Sequence, residues 1–443
     1  MEHDVSEAVA APPQAPGLRE ILLSPGYRRL LLLSALAGVP IALLCFAFVS
    51  LQHAIQHGVW EHLPAALGYD RAPWWWPLPT LLLAGLILAP VVTRLPGGGG
   101  HVPVHGLGGP PVKPVALPGV IIAALATLPL GVVLGPEAPL MALGSGLALL
   151  FLQWVKAADR PETTLLFGTA GSTTAISTIL GGPLAAALMV VEGAGLVGPR
   201  LVALLLPTLT ASGVGALVFT GFGRWTGLGI GSLELPSVPP DVQPDAGDFL
   251  WGLPIAAVVA LVVSAGRRLG FATLAWAREQ TAVRTVAAAV AAGGCLAAYA
   301  LITGRTPEDA ALSGQAGLGE LAAHPHALPV ATLIALVVCK GLAWGLCLGA
   351  MRGGPIFPAV LLGAAIALAC AGLPGFGATP ALAVGIAAAA VTVTGLAVTS
   401  AVLAALLLGA DSANQMPLIV LSTAVALVVA QLVRRGEPPE PTA

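Results

Sequence analysis

Gly135-Pro136-Glu137-Ala138-Pro139 lies between two long apolar runs, Ala116 to Leu134 and Leu140 to Trp154. A carboxylate set in apolar sequence is costly, and inside a membrane it marks a functional site by default. Proline is favoured in the first turn of a helix, and the run after Pro139 reads as that helix. A helix start carries unpaired N–H groups and the positive end of the macrodipole, so it attracts anions. Glu137 therefore reads as a tethered anion at an anion site.

A second stretch, Gly354-Pro355-Ile356-Phe357-Pro358, repeats the pattern G-P-x-x-P after 219 residues. The offset holds without a gap further along. Leu143-Gly144 matches Leu362-Gly363, Leu184-Ala185-Ala186 matches Leu403-Ala404-Ala405, and Glu192 matches Asp411. Gly/Pro-interrupted apolar segments at corresponding places in two halves point to a transporter-type binding site. One such helix start alone fits a proline-kinked packing helix better than a site. The matched pair with a glutamate favours the site, lined by backbone N–H groups of Ile356 and Phe357 on one side. Gly135, Pro136 and Ala138, around Glu137, line the other.

Composition agrees with a membrane setting. Of 443 residues, 57% are hydrophobic and 9% charged, against about 25% charged in an ordinary soluble protein. Many apolar runs approach the roughly 20 residues that cross a bilayer as helix. The net charge of −2 and the lack of a basic stripe give no footing for nucleic acid. Cys45, Cys295, Cys339, Cys347 and Cys370 all fall in apolar runs without C-x-x-C spacing, as packing thiols do. No H-E-x-x-H, G-x-S-x-G or hydrolase-spaced carboxylate pair gives an enzyme reading residues to stand on, and no cofactor or metal is called for.

In chain order, a tail (1–27) precedes a first membrane repeat (28–222), a linker (223–248), a second repeat (249–433) and a short tail (434–443). Spans are expected at 29–52, 74–95, 116–134, 138–155, 165–193 broken at Gly181-Gly182-Pro183, and 200–221. Those of the second half are 249–266, 285–303, 328–350, 355–373, 379–398, 399–410 and 417–433. Basic residues cluster at Arg28-Arg29, Arg94 with Lys113, Lys156 with Arg160, Arg267 to Arg284, and Arg434-Arg435. The positive-inside rule sends these to the cytoplasm, and the acidic loops 223–248 (Glu234, Asp241) and 304–327 outside, with 53–73. The two halves then enter the membrane from opposite sides, as inverted repeats. Both termini are cytoplasmic, in a plasma membrane.

Other groups are less decisive. Glu192 and Asp411 fit a proton relay, and fit better carboxylates at helix ends reaching water. Lys340, inside an apolar span, either raises the local potential for anions or pairs with a carboxylate. Trp74-Trp75-Trp76 reads as an interfacial belt. Gly97 to Gly100 with His101 reads as a flexible entry to a short helix, where backbone can approach an ion closely at Gly100 and His101. His101 and His105 fit loop residues better than metal ligands.

These stretches together resemble the chloride channel (CLC) family of voltage-gated channels and proton/chloride exchangers. Gly135–Pro139 resembles the family's G-[KR]-E-G-P, which puts Glu137 at its gating glutamate. Gly353–Pro358 resembles G-G-x-F-x-P, whose backbone amides bind the anion. Gly181 through Glu192 resembles N-A-P-L-A-x-x-x-x-x-x-E, and Gly99–Pro103 stands at G-S-G-I-P. The resemblance covers roughly residues 28–433. It implies an all-α polytopic fold of two inverted repeats with tilted and broken helices, a homodimer in the lipid bilayer, and chloride or another small anion as cargo. Gly100 replaces the serine that would ligate the anion. Gly193 stands where exchangers carry an internal proton-transfer glutamate, and the helix supplying a central tyrosine is cut short at Arg435. Passive conduction is the expected activity. A proton-coupled antiporter, with Glu192 in the missing glutamate's place, and a non-conducting scaffold are the alternatives.

Overall fold

The computed structural model describes residues 17–107, 109–156, 161–180, 182–195, 197–227, 235, 238–239 and 243–434. Gly181, Asp159, Arg160, Glu234, Asp241, the first part of the N-terminal tail and everything from Arg435 on lie outside the described residues.

The chain is helical almost throughout. The principal helices are α1 Pro25–His57, α2 Pro77–Arg94, α3 Leu117–Thr127, α4 Glu137–Trp154, α5 Pro161–Ile179, α6 Pro183–Gly193, α7 Pro199–Thr226 and α8 Ala246–Glu279. They continue as α9 Thr281–Thr303, α10 Gln315–Ala323, α11 Val330–Ala350, α12 Ile356–Ala369, α13 Ala378–Thr394, α14 Ala397–Leu408 and α15 Ser412–Arg434. Much of the proline content opens helices. Pro25, Pro77, Pro183 and Pro199 sit in the first turn, where a missing N–H costs nothing. Among the described residues, eight helical segments are long and apolar enough to cross a bilayer, and four apolar ones are shorter.

Apart from α10, the helices form two series of seven that share one packing plan. α1 packs on α5 and α7, as α8 packs on α13 and α15. α4 packs on α5, as α12 packs on α13. Glycine allows the second contact in both halves. A Cβ on Gly144 would run into the Gly171 carbonyl, and one on Gly363 into the Gly385 carbonyl. Between membrane helices, where apolar surface gains nothing by leaving lipid, such close backbone approach is the main source of attraction.

The halves meet through their own counterparts: α2 packs on α9, and α6 on α14. Gly135 and Gly354 form an isolated antiparallel bridge. Gly135 N–H donates to Gly354 O at 2.7 Å, and Gly354 N–H to Gly135 O at 2.5 Å. A residue paired antiparallel with its own repeat equivalent sits on a local twofold axis relating the halves.

Several boundaries differ from the sequence reading. α3 ends at Thr127 rather than near Leu134, because Pro129 lacks a donor and Gly131 adopts φ 104°. α8 runs through Arg267-Arg268 to Glu279, since residues 269–277 are rich in Leu and Ala. The loop expected from Arg267 to Arg284 shrinks to Gln280, and Arg267 is buried with its guanidinium 5.9 Å from the Phe271 ring centre. The expected loop 304–327 contains α10. Of the tryptophan triplet, Trp74 is exposed, whereas Trp76 is buried and donates to Val59 O at 3.2 Å.

Candidate functional site

The nonhelical stretch 128–136 delivers Glu137 to the centre of the molecule. Trp60 Nε1 donates to Pro129 O at 3.0 Å, and Leu312 N–H donates to Gly131 O at 3.3 Å. The Gly135–Gly354 bridge then fixes its end. Glu137 is the first residue of α4, after Pro136 as N-cap, and Ile356 is the first of α12, after Pro355. Neither cap residue has a side chain able to satisfy the helix N–H groups.

The Glu137 carboxylate does so across the repeat boundary. Its Oε1 accepts from Phe357 N–H at 2.9 Å, and the Ile356 amide also bears on it. The side chain is fully buried, and Oε2 has no hydrogen-bond partner among the described residues. Gly135 and Gly354 are glycines for a visible reason: a Cβ on either would collide with that carboxylate. Gly135, Glu137, Gly354, Ile356 and Phe357 therefore meet at one point, with Pro136 and Ala138 in the same turn. The carboxylate thus occupies the start of the opposing helix, where negative charge is favoured.

Gly100 and His101 belong to a neighbouring loop. Gly97, Gly98, Gly99 and Gly100 all have positive φ, at 75°, 53°, 76° and 101°. The loop leads into a single 3-10 turn, Pro103–His105, rather than directly into a helix. Arg352 ties it to the approach to α12, donating from Nε to Gly98 O at 3.0 Å, while Thr127 Oγ1 donates to Arg352 O at 2.8 Å. Sequence reasoning passed over Arg352. The available signal was a basic residue in an apolar run two positions before Gly354.

Glu192 is not joined to the Glu137 cluster by any hydrogen bond among the described residues. It caps α14, accepting from Val398 N–H at 2.8 Å and from Thr399 N–H and Oγ1, both at 2.6 Å. Both carboxylate oxygens are thereby engaged. Glu192→Ala is expected to destabilise the protein by about 1–2 kcal/mol, the usual cost of losing a cap, read as a lower Tm in detergent. Asp411 closes the 3-10 turn before α15, at a helix start. Lys340 is held by backbone carbonyls rather than hydrogen-bonded to a carboxylate. It is fully buried, and Nζ donates to Ala310 O and Ala311 O at 2.9 Å and to Leu312 O at 3.2 Å. All three ammonium protons hold one loop. Lys340→Met should lower Tm sharply, since each orphaned carbonyl costs about 1–3 kcal/mol. An unchanged Tm would mean that the loop relaxes freely. No group of three or more His, Cys, Asp or Glu suited to a metal occurs among the described residues.

Comparisons with known proteins bear on this arrangement. Part of the chain is 35% identical over 173 residues to a protein of Escherichia coli O139:H28 called "Putative ion-transport protein YfeO". That match spans 38% of this chain and 40% of the relative. The fold is similar to the crystal structure of a slow cyanobacterial Cl−/H+ antiporter, with a TM-score of 0.75 and 16% identity over 93% of this chain and 96% of the other. It is also similar to that of a CLC-type fluoride/proton antiporter, with a TM-score of 0.68 and 18% identity over 91% and 96%. At such identities the likeness shows the fold. The family profile described as voltage gated chloride channel matches residues 101–431, more than half of the chain, and the chain belongs to that family.

Proposed function

We propose that the protein carries small anions, chloride among them, across a bilayer along a path gated by Glu137. The observation that carries this reading is the Glu137 Oε1 bond to Phe357 N–H at the start of α12. A diffusible anion and a tethered carboxylate compete for the same helix-end donors. Fixed backbone dipoles offset the ion's dehydration there, with no reorganisation when it arrives. Passive conduction is the first reading, supported by Gly193 beside Glu192 and by the engagement of both Glu192 oxygens at α14.

Proton-coupled exchange is the second reading. It is favoured by Glu137 Oε2, a buried carboxylate oxygen with no donor among the described residues, which makes a neutral acid the less costly state whenever the bond to Phe357 is broken. The structurally similar Cl−/H+ and fluoride/proton antiporters point the same way. In both readings two copies assemble in a plasma membrane with cytoplasmic termini. The test is efflux from chloride-loaded liposomes with external pH recorded together. Chloride release on adding a potassium ionophore, without proton movement, supports conduction. Release with stoichiometric proton uptake supports exchange. Absence of flux for any halide sinks both and leaves a scaffold.

A further inference from the structure

Among the described residues, no carboxylate pairs with Arg352. Its side chain is half-buried between the glycine loop and the approach to α12. Among the described residues its only hydrogen bonds are to carbonyls: Nε to Gly98 O and Nη1 to Met351 O, both at 3.0 Å. A guanidinium has five N–H donors, so three stay available, including both on Nη2. The chain folds closely round it. The Gly99 and Gly98 positions look onto Arg352, a Cβ on Gly99 lying 3.6 Å from Cγ and one on Gly98 4.0 Å from Nη2. His101, in the same loop, feels the guanidinium charge, and its Nε2 is buried with no hydrogen-bond partner among the described residues. A charge held in apolar surroundings without a counter-ion is costly, and such residues mark ion pathways.

We propose that Arg352 is an anion-binding, specificity-determining side chain of the path, favouring a planar monovalent oxyanion over a halide. This inference rests on the anion-transport reading for its physiological meaning. Gly100 offers no hydroxyl to the ion, and Arg352 supplies donors to the same loop from the other repeat. The fork of a guanidinium meets two oxygens of one planar oxyanion at once, whereas a halide is a single centre. Lysine at this place keeps the charge and loses the fork.

Nitrate and chloride serve as probes. The purified full chain is titrated with each by calorimetry in detergent, and the same preparations are assayed for flux in liposomes. Wild-type protein is expected to bind nitrate more tightly than chloride. Arg352→Lys should weaken nitrate about tenfold, the loss of one charge-assisted bond, and chloride far less. Arg352→Gln, which keeps donors for Gly98 O, should weaken both. A monodisperse Arg352→Lys protein with unchanged nitrate affinity, or with both affinities reduced in parallel, overturns the proposal and makes Arg352 a clamp for the loop. Nitrate binding that depends on Arg352 in a wild-type protein showing no flux of either anion overturns the transport reading instead and upholds the binding role.

Discussion

Glu137→Ala is expected to give anion flux that is high and indifferent to pH, where the wild-type protein carries more as the solution is acidified. Glu137 Oε1 accepts from Phe357 N–H at 2.9 Å. A hydrogen bond to a charged group contributes about 1.5–3 kcal/mol, and most of that is lost when the acid is neutral. Since about 1.4 kcal/mol is a factor of ten, wild-type chloride efflux should rise roughly tenfold or more between neutral and strongly acidic solution. Glu137→Gln keeps the shape without the charge and should behave like the acid form at every pH. A Glu137→Ala protein that retains the wild-type pH profile would remove Glu137 from the gate.

Gly354→Ala should produce a similar functional change from the other side of the axis. The three atoms nearest to an added Cβ there all belong to Glu137: Oε2, the carboxyl carbon and Cβ. The methyl group therefore expels the carboxylate from the start of α12. Overpacking of this kind costs about 1–3 kcal/mol, so Tm should fall while the pH dependence of flux disappears. Combining Gly354→Ala with Glu137→Gly removes all three clashing atoms. The double variant should regain most of the lost Tm, a non-additivity expected only for residues in direct contact. Additive losses of Tm would show that the destabilisation arises elsewhere, in the Gly135 bridge.

Much of the fold could be read from the chain because the bilayer restricts the choices. Residues 356–369 are apolar throughout and residues 138–155 all but Ser145 and Gln153, and only helix satisfies their backbone groups in a membrane. The duplicated G-P-x-x-P fixed where two helices begin to within a residue. Periodicity was blind where helix gives way inside an apolar run, as at Leu128 to Pro136, since Val132, Val133 and Leu134 look equally at home in helix. It was also misled by Arg267-Arg268, because arginines read as a membrane boundary even when one is buried in a helix that continues. At the site, Glu137 was legible from its cost. Its bond to Phe357, Lys340's hold on three carbonyls and the clasp of Arg352 on Gly98 were not, since each joins segments far apart in sequence with no motif to mark the contact.

Gly135 meets Gly354 antiparallel at the twofold axis. On either side of it, Glu137 in one half occupies the place of Ile356 in the other. An assembly of two identical, unfused halves would put the same side chain at both places. Two glutamates so close would repel, and one would have to stay protonated. Two isoleucines would leave both helix starts without any tethered competitor. Covalent fusion lets the halves differ here, so that the twofold frame carries one carboxylate at its paired helix starts.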